Sequence, residues 1–180
     1  FKIFWNGKVQ MTGLKSEEEG HEVIQNFIDI VSNIDNKRKQ QNLPTIIKNY
    51  DHLELNNFKI CLINSDFSVK FKIKRNILYE LLKQKYKISV SYEPDYYQGV
   101  KTKFYWNLSN KKQGICNCTK KCNGKGKGRG NGDCKRVTIA IFQSGNINIS
   151  AQSFCQIKDA YLFINQILCN EYELVKREEI

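Results

Sequence analysis

The sequence predicts an α+β fold, a curved antiparallel sheet of two pseudo-repeats with helices on one face. Three observations lead there. A strand–turn–strand block occurs twice. Each copy is followed by a capped amphipathic helix. The strands between them alternate polar and apolar residues.

Residues 4–13 read FWNGKVQMTG and residues 142–151 read FQSGNINISA, an offset of 138. Phe, Gly, two aliphatics and a small hydroxyl residue coincide, which predicts a strand, a turn at Gly7 or Gly145, and a second strand. Ser16 with Glu19, and Ser153 with Gln156, form capping boxes. The first helix is expected over 17–34, with Val23, Ile24, Phe27, Ile30 and Val31 on one face. The second carries Ala160, Tyr161, Ile164, Ile167 and Leu168 at matching positions. A strand at 58–71, a helix at 75–85 and a strand at 97–106 precede the second block. Nothing equivalent precedes Phe4, so part of the first copy is expected to be missing. The domains read as 1–54, the end of the first repeat with a linker, and 55–180, the second repeat with an insertion at 107–135.

Composition bounds the function. The chain has 180 residues and a net charge of +11. A compact, strongly basic fold points to a polyanion, most often nucleic acid. Only two histidines, His21 and His52, are present, which argues against His-based catalysis, and no enzyme is expected. No run reaches membrane-span length. Seven cysteines without a signal peptide favour a reducing compartment. Cys61, Cys155 and Cys169 lie in apolar stretches and are expected to be buried.

The motifs then become specific. Ser91-Tyr92-Glu93-Pro94-Asp95-Tyr96-Tyr97-Gln98-Gly99 resembles the S-Y-E-P-E-L-F-P-G segment of TATA-box-binding proteins. Ile141-Phe142-Gln143-Ser144-Gly145 resembles their I-F-V-S-G. Ile3-Phe4-Trp5-Asn6-Gly7-Lys8, with the segment from Thr12 to Glu18, is similar to their first-repeat I-F-S-S-G-K…T-G-A-K-S-E-E. Phe58-Lys59-Ile60 and Val69-Lys70-Phe71 match the F-K-I and V-K-F around a strand of theirs. The Cys- and Gly-rich insertion is similar to that of divergent members from large DNA viruses.

The resemblance implies a saddle whose concave sheet lies on the DNA minor groove, with helices on the convex face. Wedge aromatics would be Phe4, Tyr97 and Phe142. Alternation assigns Lys101 and Lys103 to the face of Tyr97, and Arg136 and Thr138 to that of Phe142. Where the family has Asn and Val on one strand, this chain has Leu62 and Asn64. Family valines become Gln10 and Asn148, while Thr12 and Ser150 keep hydroxyls. These swaps make the floor more polar and could shift the base preference. Glu93, Asp95 and Tyr96 match the patch that docks transcription factor IIB. The implied partners are promoter DNA, a factor-IIB-like protein and RNA polymerase machinery. The implied location is the nucleus, or a viral factory in host cytoplasm or a virion.

The insertion departs from the family. It joins two strands that should form a hairpin and is expected to protrude. Cys116, Cys118, Cys122 and Cys134, spaced C-x-C-x3-C-x11-C, suit a tetrahedral zinc site; two disulfides or free thiols are alternatives. Lys125, Lys127 and Arg129 alternate with glycine, which suits phosphate contact or a plain flexible loop. The leading function is a transcription-initiation factor that binds promoter DNA in the minor groove. The alternative is a protein-interaction subunit that keeps the saddle. A repair or nuclease subunit is disfavoured, because no acid/base or metal-carboxylate cluster is evident.

Overall fold

The computed structural model describes residues 2–48, 55–109 and 114–178. The chain divides into two compact units, Phe1–Ile60 and Cys61–Ile180. The domain boundary expected at residue 54 lies outside the described residues. Among the described residues, no helix is long and apolar enough to cross a membrane.

In the first unit, β1 (Lys2–Ile3) pairs antiparallel with β2 (Val9–Gln10). The Phe4 N–H donates to the Lys8 carbonyl at 2.9 Å, and the Gly7 N–H to the Phe4 carbonyl at 3.0 Å. Gly7 sits at φ 80°, a region open to glycine. Helix α1 (Glu17–Gln40) follows. Ser16 Oγ accepts from the Glu19 N–H at 3.1 Å, and Glu19 Oε2 accepts from the Lys15 N–H at 2.7 Å. Helix α1 runs past the expected end at residue 34. Lys37, Arg38 and Lys39 occupy its last turn, where cations oppose the helix dipole. Asp35, buried within the added turns, accepts from the Ile46 N–H at 2.6 Å. Of the expected stripe, Ile24 is buried, while Ile30 is 58% exposed.

The second unit holds, in chain order, β3 (Ile63–Ser68), α2 (Arg75–Glu80), β4 (Ser89–Glu93), β5 (Tyr97–Trp106), β6 (Lys135–Ile141), β7 (Asn146–Ala151), α3 (Phe154–Asn170) and α4 (Tyr172–Val175). The strands form one antiparallel sheet in the order β3-β7-β6-β5-β4. The molecule is therefore α+β. The expected strand at 58–71 shrinks to β3, and Lys70 at φ 63° turns the chain away. The expected helix at 75–85 is α2 continued by a π-helical turn, Leu81–Lys85.

Alternation splits the sheet into two faces. Val100 and Phe104 of β5, Val137, Ile139 and Ile141 of β6, and Ile147 and Ile149 of β7 are buried together with Ile164 and Leu168 of α3. Each such side chain contributes about 1.5–3 kcal/mol. The Ser153 cap contributes about 1 kcal/mol, so α3 is held chiefly by its apolar face. Ser153 Oγ accepts from the Gln156 N–H at 3.5 Å, and Gln156 Oε1 accepts from the Gln152 N–H at 3.0 Å. The turn before β7 has Phe142 N–H to the Asn146 carbonyl at 2.9 Å and Gly145 N–H to the Phe142 carbonyl at 3.0 Å. Turn and cap thus repeat the hydrogen bonds seen at residues 4–8 and 15–19.

Two expectations about burial are corrected. Tyr161 is 42% exposed, at the margin of the α3 stripe. Cys61, Cys155 and Cys169 are all exposed. Cys155 and Cys169 fall on the solvent side of α3, and Cys61 precedes the paired part of β3, so apolar neighbours in sequence do not cover them.

A buried carboxylate ties α3 to the π-helical turn. Glu171 accepts from Lys85 Nζ at 2.6 Å and from the Tyr86 hydroxyl at 2.6 Å. The hydrogen bonds from Lys85 and Tyr86 hold the Glu171 pKa below the usual carboxylate value. Burial, then the bond to Glu171, pushes Tyr86 up to about 12. A lowered carboxylate pKa stabilises the fold above the unfolded value, and that stability fades as pH falls through the folded value. A raised phenol pKa stabilises below the unfolded value and fades as pH rises toward about 12. Glu171→Gln is therefore expected to lower the melting temperature by several degrees near neutrality and to flatten its acid-side decline. Thermal melts across pH read both effects; parallel wild-type and variant curves would contradict the linkage.

Candidate nucleic-acid interface and thiolate cluster

The face of the sheet away from the helices is polar. Pairing register lines up Asn64, Ser150, Thr138 and Lys103 in one row across four strands. The next row is Asp66, Asn148, Ala140 and Lys101. Arg136 is exposed beside Tyr105 in register. Sequence alternation had placed Lys101 and Lys103 on the face of Tyr97 and Arg136 and Thr138 on that of Phe142, the family resemblance had added Asn64, Asn148 and Ser150, and the strand pairing lines these residues up across one face.

Ser150 donates its hydroxyl hydrogen to Asn64 Oδ1 at 2.7 Å. That bond engages the carbonyl oxygen of the amide, and the N–H2 is the group of Asn64 that can donate. Minor-groove edges of A·T pairs offer only acceptors.

At one end of this face, Tyr97 and Phe142 pack together, ring centroids 5.7 Å apart and inclined by 56°. Both are half-buried and both cover Gly99. Lys101 Nζ lies 3.5 Å from the Tyr97 ring centroid, a close cation–π contact. The Tyr97 ring is therefore covered on one side by the cation, while Phe142 carries no such cover among the described contacts.

Arg75 was missed by sequence reasoning. Its guanidinium donates to the Gln98 backbone carbonyl, to Gln98 Oε1 at 2.8 Å and to Gln143 Oε1 at 3.1 Å. It joins the start of β5 to the β6–β7 turn and so ties together the chain beside Tyr97 and Phe142. Its partners lie 23 and 68 residues away, and no local pattern signals them. Asp66 was also missed. It is an exposed acid within the second row, and its charge opposes a phosphate-rich ligand.

Other expected residues lie elsewhere. Leu62 precedes β3 and is 58% exposed. Phe4 (46% exposed), Gln10 and Thr12 belong to the first unit, at and after its hairpin. Glu93, Asp95 and Tyr96 form an exposed turn, closed by Tyr96 N–H to the Glu93 carbonyl at 3.0 Å; Tyr96 is 89% exposed.

The insertion does not simply protrude. It folds back on the end of the β5–β6 hairpin through Tyr105 N–H to the Gly114 carbonyl, Leu108 N–H to Gly128 and Arg136 N–H to Gly124, each at 2.8 Å. This brings the sulfurs of Cys116, Cys118, Cys122 and Cys134 within 4.8 Å of one another. All four cysteines are free thiols. Cys118 Sγ lies 3.3 Å and Cys116 Sγ 3.7 Å from Cys134 Sγ. Four Zn–S bonds of about 2.3 Å in a tetrahedron put the sulfurs about 3.8 Å apart, so the cluster fits zinc closely. Asn107, buried, donates its amide to the Gly130 carbonyl at 2.8 Å and toward Cys134 Sγ at 3.9 Å. Outer-shell donors of this kind orient ligands. The backbone N–H of Gly132, then the thiol of Cys134, draws the Cys118 pKa down to about 7. Burial pushes the Cys134 thiol up.

No protein-family model matches the chain. The chain is 30% identical over 179 residues to a protein of Acanthamoeba polyphaga mimivirus named TATA-box-binding protein-like. The match covers 97% of this chain and 44% of the relative, so the chain spans less than half of that protein. The similarity supports a distant relation to proteins of the TATA-box-binding kind.

Proposed function

We propose that the chain is a transcription-initiation factor that binds promoter DNA in the minor groove through its open sheet face, and that it is not an enzyme. The observation that carries this reading is the open face itself. Basic and hydrogen-bonding side chains line up in register across it, and the Tyr97–Phe142 ring pair stands at its end. An apolar ring can wedge between base pairs, with the unstacking offset by contact with bent DNA. The matching turns and caps at 4–8 and 142–146, and at 15–19 and 152–156, support a duplicated, saddle-type architecture. On this reading Phe4, Gln10 and Thr12 serve the first repeat as Phe142, Asn148 and Ser150 serve the second. Glu93, Asp95 and Tyr96 meet a basic, factor-IIB-like partner. The four cysteines hold one structural zinc ion. The protein works in the nucleus, or in a viral factory or virion.

A second reading, an interaction subunit with little DNA affinity, is favoured by Asp66 on the open face and by Lys101 resting on the Tyr97 ring. Selection of bound duplexes from a random pool, with and without a factor-IIB-like protein, separates the two. The first reading expects an A·T-rich motif. Recovery of no motif under either condition would favour the second.

A further inference from the structure

The minor-groove reading leaves the glycine-rich part of the insertion without a role. We propose that the ribbon carrying Lys125, Lys127 and Arg129 is a second phosphate-binding element that holds the backbone of duplex DNA outside the stretch covered by the sheet. This inference rests on the DNA-binding reading and extends it.

The ribbon is built with its glycines inward and its cations outward. Gly124 and Gly128 are buried, and Lys125, Lys127 and Arg129 are exposed. A Cβ at Gly124 would lie 2.9 Å from the Tyr105 ring and 2.9 Å from Arg136 Cβ; one at Gly128 would lie 2.6 Å from the Trp106 ring. Any larger residue would lift the ribbon off the sheet end. Alternating glycine is therefore the means of close approach, and it leaves each intervening cation pointing at solvent.

The ribbon is also held in place. Lys125 bridges antiparallel to Lys135, Gly126 N–H donates to the Cys134 carbonyl at 3.2 Å, and Gly128 N–H donates to the Asp133 carbonyl. Trp106, against which Gly128 packs, is fixed by Nε1–H to Asp159 Oδ2 at 2.7 Å. Ordering a free loop of this composition on DNA would oppose binding; here much of that ordering precedes it.

Charge directs the choice of ligand. Among the described residues, none of the three cations makes an ion pair. Lys120 and Lys121 lie between Cys118 and Cys122, and Lys135 adjoins Cys134, so cations other than those of the ribbon sit beside the cysteines in the chain. Gly124 packs on Arg136, so the positive surface continues from the open face into the ribbon. A polyanion that runs past Arg136 meets the start of the ribbon, where Gly124 packs on Arg136 and Lys125 bridges to Lys135. Contacts of this kind carry no base preference and are sensitive to salt.

The test compares wild type with the triple variant Lys125→Ser, Lys127→Ser, Arg129→Ser on two duplexes. One is limited to the selected site; the other is extended by a helical turn on each side. On the extended duplex, the slope of log affinity against log salt is expected to be shallower in the variant by about 2–3. On the short duplex the two proteins should agree. Phe142→Ala should lower affinity without changing the slope. Equal slopes on the extended duplex would overturn the ribbon's role and leave the sheet reading intact. Loss of an acidic protein partner with unchanged DNA binding would reassign the ribbon to protein contact. Wild type without measurable affinity for any duplex would remove both proposals. Unchanged thermal melting and metal content confirm that the surface variant is folded.

Discussion

Phe142→Ala is expected to weaken binding to the selected duplex about 10- to 100-fold, or about 1.4–2.7 kcal/mol. Phe142 is argued to be the stronger wedge of the ring pair. The Tyr97 ring lies under Lys101 Nζ at 3.5 Å and carries a hydroxyl that an unstacked step would have to hydrate. Phe142 has neither handicap. Deleting the ring removes the compensation for unstacking, so the bent complex suffers more than the initial encounter. Most of the loss should appear in the dissociation rate. Phe142→Leu keeps an apolar wedge and should retain most of the affinity. Because Phe142 also packs on Tyr97, a thermal melt must accompany both variants. Equal affinity in wild type and the alanine variant, with both folded, would sink the wedge model.

Cys134→Ser is expected to have the second large effect. Wild-type protein purified under reducing conditions should carry one zinc per chain, and the variant well under one. Cys134 is the buried member of the cluster and approaches both Cys116 and Cys118. Its loss leaves three half-buried thiols without a common centre. Asn107→Ala should weaken zinc about 10- to 100-fold without removing a ligand. Loss of metal should expose 114–134 to proteolysis while far-UV circular dichroism stays close to wild type, because the sheet core does not include the cluster. A metal-free wild type whose insertion resists proteases would contradict the site.

Local signals carried much of the fold. Ser16 and Ser153 were readable as caps because their partners lie three residues away. The bounds of β5 and the apolar stripe of α3 were readable because burial follows a fixed period. The open face followed from the same alternation on β5 and β6. Other features depend on distant chain. Arg75 joins the start of β5 to the β6–β7 turn, and Glu171 meets Lys85 and Tyr86 from 86 and 85 residues away. The end of α1 was misjudged because apolar periodicity stops at Ile34, while a buried Asp35 and a basic last turn carry the helix on. The spacing of the four cysteines suggested a cluster, but the return of the insertion onto Trp106 and Tyr105 had no signature except alternating glycine, which also describes a loose linker.

Strand β6 begins before its neighbour can meet it. It pairs with β7 only from Thr138 to Ile141, although it runs from Lys135. The first part would present bare backbone groups on that side, and residues 124–126 take them up. The insertion thus completes a ladder left short by the parent hairpin. A segment rooted this way can change length and sequence at its tip while its base satisfies the sheet. Such a site is tolerant ground on which a divergent lineage can acquire a new binding surface without rebuilding the domain beneath it.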